Sequence, residues 1–263
     1  VTINALLFFC DAACAHHRRG GAKLPQWRGR RNRMSTRLSF TGETRQGSVA
    51  IDARIDTLII AGWTGRDAKA VEEHIAELER LGVRRPKSTP IFYRVAASLL
   101  TTADAIEVVG GDSSGEVEPV LVSLADRLWV GVGSDHTDRK LETVGVTISK
   151  QLCAKPVAPT LWPLAEVALH WDRLILRSHA VIGGQRRRYQ EGPVARLRPP
   201  AELMRLCGGD AAALPAGSVM FCGTVAVEGG IVPADRFEIE LEDPVLGRRI
   251  SHTYAVKPLA VEG

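Results

Sequence analysis

The sequence predicts an α+β protein in which strands dominate. Short apolar or alternating runs recur from Leu38 to Val256, only the stretch after Asp67 has a long helical period, and strand and helix do not alternate regularly. The last of these disfavours a parallel doubly wound sheet. At 263 residues and 45% hydrophobic content, the chain has enough apolar surface for a sizeable core.

Residues 38–60 are strand-like, with 48–52 alternating and 57–61 forming an apolar run closed by Gly62. Asp67 is placed to cap a helix whose face is Val71, Ile75, Leu78 and Leu81, with Gly82 as its stop. Short strands are expected over 91–95, 105–109, 117–124 and 128–132. The stretch 161–180 reads as a loop or short helix leading into a strand at 174–176, and 200–206 as a short helix. Strands return at 218–221, 237–241 and 252–256.

The formal charge of +4 belongs to one end of the chain. Residues 1–33 hold seven Arg or Lys against the single acid Asp11, and the remainder is slightly acidic. Without a basic stripe in the body, nucleic acid is not an expected partner. No apolar run approaches the roughly 20 residues of a membrane span, so no membrane partner is expected either. Residues 1–33 lack the basic start and uninterrupted apolar stretch of a secretory signal. They are expected to be an over-long gene start ahead of Met34, a targeting arm or a disordered tail, leaving 34–263 as one domain. Five cysteines at 10, 14, 153, 207 and 222 form no CxxC pair, which points to a reducing, cytoplasmic setting.

Three constellations could carry chemistry. On a strand, Glu116 and Glu118 share a face at period two and repel unless a cation lies between them. A hard divalent ion with oxygen ligands suits such a pair, and a solvated edge is the alternative. Asp135 follows the next apolar run within "GSDHTDRK", where a third carboxylate could join the set and Arg139 could clamp a substrate carboxylate. A polar turn explains the same residues. On the helix, His74 and Glu77 are neighbours at i, i+3, a spacing that allows a carboxylate to raise an imidazole's basicity.

Taken in order, these features resemble the fumarylacetoacetate hydrolase superfamily, in an uncharacterised bacterial branch. "GRDAKAVEEHIAELERLGV" and "PIFYRVAASLLTTADAIEVV" are similar to the superfamily's GxNYxxHxxE helix and the P-x-x-F-x-K segment after it. "GEVEPVLV" is similar to its "yExELavVi" strand, and "WVGVGSDHTDRKLE" to its "GYtxxnDxtaRDxQ" segment. "SKQLCAKPVAP" resembles "KsFdxfxPxGP", and the stretch from "LPAGSVMFCGT" to "ISHTYAV" resembles the superfamily's C-terminal pattern. The resemblance implies a mixed β-roll with few peripheral helices, acting as a homodimer. It implies Glu116, Glu118 and Asp135 as ligands of Mg²⁺, or of Mn²⁺ or Ca²⁺, and His74, Glu77 and Lys150 as catalytic groups. Arg139, Tyr93, Arg94, Gln190, Gly223 and Thr224 would line the substrate site.

The implied activity is metal-dependent chemistry on a small 2-oxo acid or β-dicarbonyl carboxylate: carbon-carbon bond hydrolysis, or a hydratase, decarboxylase or lyase reaction. The alternative is a non-catalytic ligand-binding or structural β-protein that keeps the fold. Departures from the pattern fall mainly on substrate contacts. Only 17 positions separate Glu118 from Asp135, which is expected to trim the scaffold of the metal site. Glu142 stands where the family has glutamine, Tyr93-Arg94 replaces a lysine, Pro119 replaces a leucine, and Lys155 competes with Lys150. Cys153 and Cys222 are expected to be inert buried thiols, and His170, Trp171 and Asp172 to form either a pocket lining or a structural corner.

Overall fold

A computed structural model describes residues 35–80, 85–209 and 213–262; the segment 1–33 and the expected helix stop at Leu81 and Gly82 lie outside them. In chain order, β1 (Thr36–Thr44) and β2 (Gly47–Ile55) make a hairpin, and β3 (Thr57–Gly62) leads to helix α1 (Ala68–Arg80). Asp67 caps that helix as expected, its Oδ1 accepting from the N–H groups of Lys69 and Ala70 at 2.9 and 3.2 Å. Then come β4 (Ile91–Val95), β5 (Leu100–Thr101), β6 (Ala105–Val109), β7 (Ser113–Ser114), β8 (Val117–Ser123), β9 (Leu128–Ser134) and β10 (Thr137–Asp138). Two short helices, α2 (Arg139–Glu142) and α3 (Val146–Leu152), precede β11 (Lys155–Pro156), β12 (Thr160–Pro163) and α4 (Leu164–Val167). The chain continues through β13 (Ile175–Ile182), β14 (Gln185–Pro193), α5 (Pro200–Gly208), β15 (Ser218–Phe221), β16 (Arg236–Asp243) and β17 (Arg248–Leu259).

An eight-stranded mixed sheet has the order β2-β1-β12-β9-β8-β15-β3-β4, and a five-stranded sheet the order β14-β13-β16-β17-β6. The two face each other across a shared core. Val117, Leu121, Val130 and Val132 of the larger sheet pack in one cluster with Leu176, Ala180, Phe237, Ile239 and Leu241 of the smaller. A second cluster, with Phe40, Ile55, Leu58, Val120, Trp129, Leu161 and Phe221, fills the other face of the large sheet. Central strand β8 is therefore buried along its whole length, and its continuous apolar run reflects burial on both faces.

Pro119 sits inside β8, where a missing N–H ordinarily breaks a ladder. Its carbonyl accepts from the N–H of Cys222 at 3.0 Å, the first residue beyond β15, and the pyrrolidine ring can return no bond. Pairing with β15 ends there, and the chain turns at Gly223, whose φ is +97°.

The corner 170–172 is structural. His170 Nε2 lies 3.0 Å from Asp243 Oδ1, Trp171 is buried, and Asp172 pairs with Arg66 through two 2.8 Å bonds. Cys153 and Cys222 are buried free thiols, and burial pushes the Cys153 thiol up to about 11, which keeps it protonated and unreactive. Among the described residues, no helix is long and apolar enough to cross a membrane.

Candidate metal centre

The antiparallel hairpin of β8 and β9 assembles the acids. Val117 pairs with Ser134 and Glu118 with Gly133, and the Asp135 N–H donates to the Glu116 carbonyl at 2.9 Å. That last bond extends the register by one rung, so Asp135 lies across from Glu116. Opposed residues of an antiparallel pair share a face, and period two brings Glu118 onto the same one. Carboxylate oxygens of Glu116, Glu118 and Asp135 consequently lie within 4.8 Å of one another. Glu118 and Asp135 are buried and Glu116 is half-buried. The interval of 17 residues is the span of a direct hairpin, with Ser123 paired to Leu128 across a four-residue link. It shortens the connection without separating the acids.

Three cations surround the carboxylates. Lys150, on the buried side of α3, bonds Asp135 Oδ2 through a short contact and stands 3.8 Å from Glu116 Oε2, with the Tyr93 ring centroid 5.9 Å away. Lys155, at the start of β11, reaches Asp135 Oδ1 at 3.2 Å. Arg139 donates from Nε to Ser114 Oγ at 2.6 Å and from Nη1 to Glu142 at 3.0 Å, and its Nη2 is 3.2 Å from Glu116. Glu142 thus closes one edge of the guanidinium, while Nη2 is buried without an aligned hydrogen bond.

Charge and burial compete differently at each group. Burial pushes Asp135 up, but Lys150 and Lys155 outweigh it and hold the carboxyl below its ordinary range. Glu118 is raised well above the usual glutamate range, first by burial and then by Asp135, with Lys150 opposing, Glu116 adding to the rise and the Gly223 N–H opposing last. Burial opposes the charge on Lys150, yet Asp135 and Glu116 raise it above the usual lysine range. Lys155 is lowered by burial and by Lys150, with Asp135 opposing.

The donor set fits a hard divalent ion, since all three ligating groups offer oxygen. Asp135 Oδ1 supports the fit: it is buried and, despite the nearby Lys155, accepts no aligned hydrogen bond.

Gly223 donates its N–H to Glu118 Oε2 at 2.7 Å, and a Cβ at this position would collide with Thr64 Oγ1. Tyr93 is buried beside Lys150, and the Trp63 side chain hydrogen-bonds it. Trp63 holds a left-handed φ of +59°, rare for a bulky residue, immediately before Thr64. Trp63 and Thr64 lie outside any pattern read from the sequence, because a strained φ and a close backbone approach leave no mark in composition.

Other expected contacts are engaged elsewhere. Tyr93 and Arg94 point to opposite faces of β4, and the Arg94 guanidinium donates to the carbonyls of Asp56, Leu58 and Val95 at 2.8 to 3.1 Å, which makes it a tie between strands. Gln190 is fully buried, its amide accepting from the Val117 N–H and Ser178 Oγ and donating to Thr224 Oγ1 and the Val225 carbonyl. All four of its hydrogen-bonding positions are thereby filled by protein, leaving none for a substrate. Thr224 in turn donates to the Val117 carbonyl at 2.7 Å. His136 is also structural, with its ring nitrogens 3.1 Å from Tyr254 Oη and 2.9 Å from Ser113 Oγ, and burial lowers it to about 3. Glu77 is exposed on α1, and the side chain of His74 lies outside the described residues.

Residues 61–254 match a family described as a protein of unknown function, DUF2848. No curated protein matches the chain. Among solved structures, a Burkholderia cenocepacia protein assigned as a fumarylpyruvate hydrolase superimposes with a TM-score of 0.54 at 19% identity, covering 86% of this chain and 98% of that one. A 2-keto-3-deoxy-D-arabinonate dehydratase complexed with magnesium and 2,5-dioxopentanoate gives 0.57 at 18% identity, covering 80% and 77%. A Yersinia pestis CO92 protein assigned to the fumarylacetoacetate hydrolase family gives 0.55 at 18%, covering 82% and 100%. The fold is accordingly that of the fumarylacetoacetate hydrolase superfamily, as the sequence resemblance implied.

Proposed function

The chain belongs to the DUF2848 family, and we propose that it is a divalent-metal-dependent enzyme acting on a small 2-oxo acid or β-dicarbonyl carboxylate. The reaction is carbon-carbon bond hydrolysis, or hydratase, decarboxylase or lyase chemistry on the same substrate class. The observation that carries the reading is the convergence of Glu116, Glu118 and Asp135 within 4.8 Å, beside a buried lysine and a half-buried arginine. A magnesium-bound dehydratase with the same fold supports it.

Glu116, Glu118 and Asp135 would hold Mg²⁺, or Mn²⁺ or Ca²⁺, and the ion would supply positive charge where negative charge develops on the substrate's oxygens. The Gly223 N–H holds Glu118 Oε2 by a hydrogen bond. The Arg139 Nη2, which lacks an aligned partner, binds the substrate carboxylate. Lys150, kept protonated by Asp135 and Glu116, stands beside the acids and would hold the substrate's oxygens. Tyr93, hydrogen-bonded by Trp63, places its ring beside Lys150. His74 with Glu77 is the proton-transfer candidate. A cytoplasmic homodimer belongs to the same reading.

The test is a thermal-unfolding titration with Mg²⁺ on wild type and Glu116→Gln, with His74→Ala assayed against oxo acids and acylpyruvates. Stabilisation of wild type that vanishes in Glu116→Gln, and lost turnover with retained metal binding in His74→Ala, are the expected results. No Mg²⁺ response in wild type would favour the non-catalytic ligand-binding reading, and full activity in His74→Ala would remove the dyad.

A further inference from the structure

Lys155 is fully buried, an unusual place for an ammonium group. Its Nζ donates to the carbonyls of His136 at 2.6 Å and Cys153 at 3.1 Å and faces Asp135 Oδ1 at 3.2 Å. Two carbonyl acceptors, with a carboxylate oxygen at ion-pair distance, are the surroundings of a protonated lysine. Lys150 holds the other oxygen of the same carboxylate, so Asp135 carries two ammonium groups.

The two lysines differ in what binds them. Among the described residues, the ion-pair and ring partners of the Lys150 ammonium are the side chains of Asp135, Glu116 and Tyr93. Lys155 is anchored to two backbone carbonyls and lies on a strand paired with Leu100. Within the cluster, Glu116, Glu118, Asp135 and Glu142 face Arg139, Lys150 and Lys155, an excess of one negative charge when all are ionised. Removing Lys155 makes the cluster one unit more negative, which strengthens its attraction for a divalent ion.

We propose that Lys155 is a resident counter-cation of the acidic cluster: it keeps Asp135 in place while no metal is bound, and it weakens the cluster's hold on a divalent ion. This rests on the metal-site reading above. Lys155 is on this account a positioning residue, acting through Asp135.

The experiment compares the full chain with Lys155→Gln, which keeps an N–H donor on a side chain one atom shorter but removes the charge, and with Lys155→Met. Mg²⁺ binding is followed by calorimetry, and thermal unfolding is followed with EDTA and with Mg²⁺. The expected result is a lower Tm for Lys155→Gln without metal, recovery on adding Mg²⁺, and a Kd at least tenfold tighter than wild type, about 1.4 kcal/mol. A variant that folds only with Mg²⁺ supports the proposal as well. A folded variant with an unchanged or weaker Kd overturns it. Failure of both variants to fold even with Mg²⁺ also overturns it, because a charge that Mg²⁺ cannot replace is not a counter-charge. An unresponsive wild type beside a responsive Lys155→Gln would count against the metal-enzyme reading alone, whereas equal Kd values would count against this inference alone.

Discussion

The backbone N–H of Gly223 donates to Glu118 Oε2 at 2.7 Å across 105 positions of sequence, so the turn after β15 and the central acid of the cluster hold each other in place. Pro119, next to Glu118, ends the β15 pairing that allows the turn.

Gly223→Ala is expected to fail on two counts. The φ of +97° is unfavourable for any residue with a Cβ, and that atom would meet Thr64 Oγ1. Urea unfolding is expected to show a loss of about 2 kcal/mol or more, with weakened Mg²⁺ binding as the N–H moves off Glu118. Wild-type stability in this variant would contradict the geometry.

Gln190 separates a structural role from a substrate role. Gln190→Leu strands the Val117 N–H and the Val225 carbonyl, and each unmet buried group costs about 1 to 3 kcal/mol. A large fall in the denaturation midpoint with Mg²⁺ affinity retained is the expected outcome. An unchanged midpoint accompanied by a raised KM would restore Gln190 as a substrate contact.

Asp243 supplies a pH dependence away from the metal centre. Burial raises this carboxyl, but His170 and the N–H groups of Leu246 and Val245 outweigh it, and it is held below its ordinary value. A depressed folded value means the unfolded chain binds the proton first as pH falls. The stabilisation is therefore complete above the ordinary aspartate value near 4 and is lost as pH drops through the folded value. Acid unfolding followed by circular dichroism is expected to be shallower below pH 4 in Asp243→Asn than in wild type. Parallel curves would exclude this role.

Local pattern determined much of the fold. The strands at Ile91–Val95, Ala105–Val109 and Ser218–Phe221 have the expected bounds, and Asp67 caps its helix, because each depends on neighbours within a few residues. The pairing of Glu116 and Glu118 was also legible, since period two entering β8 places both on one face, while Asp135 was assigned to the set by the family resemblance. Helix α3 was not expected, because it is patterned against its surroundings: Ile148 and Leu152 are exposed while Ser149 and Lys150 are buried. A hydrophobic stripe predicts the buried side of a helix only when no charge cluster competes for that side, and here the acids attract the lysine inward.

Tertiary structure alone decided the partners. Sequence spacing left Lys150 and Lys155 as rivals for one position, and the fold places both on Asp135, one held by side chains and the other by backbone. It likewise turned Arg94, Gln190 and Thr224 toward carbonyls and amides instead of the site. Residue type and period set which face a side chain takes, since both are local properties of the backbone. Which charge meets which depends on strand register and on where burial removes water, and those are set only when distant segments pack together.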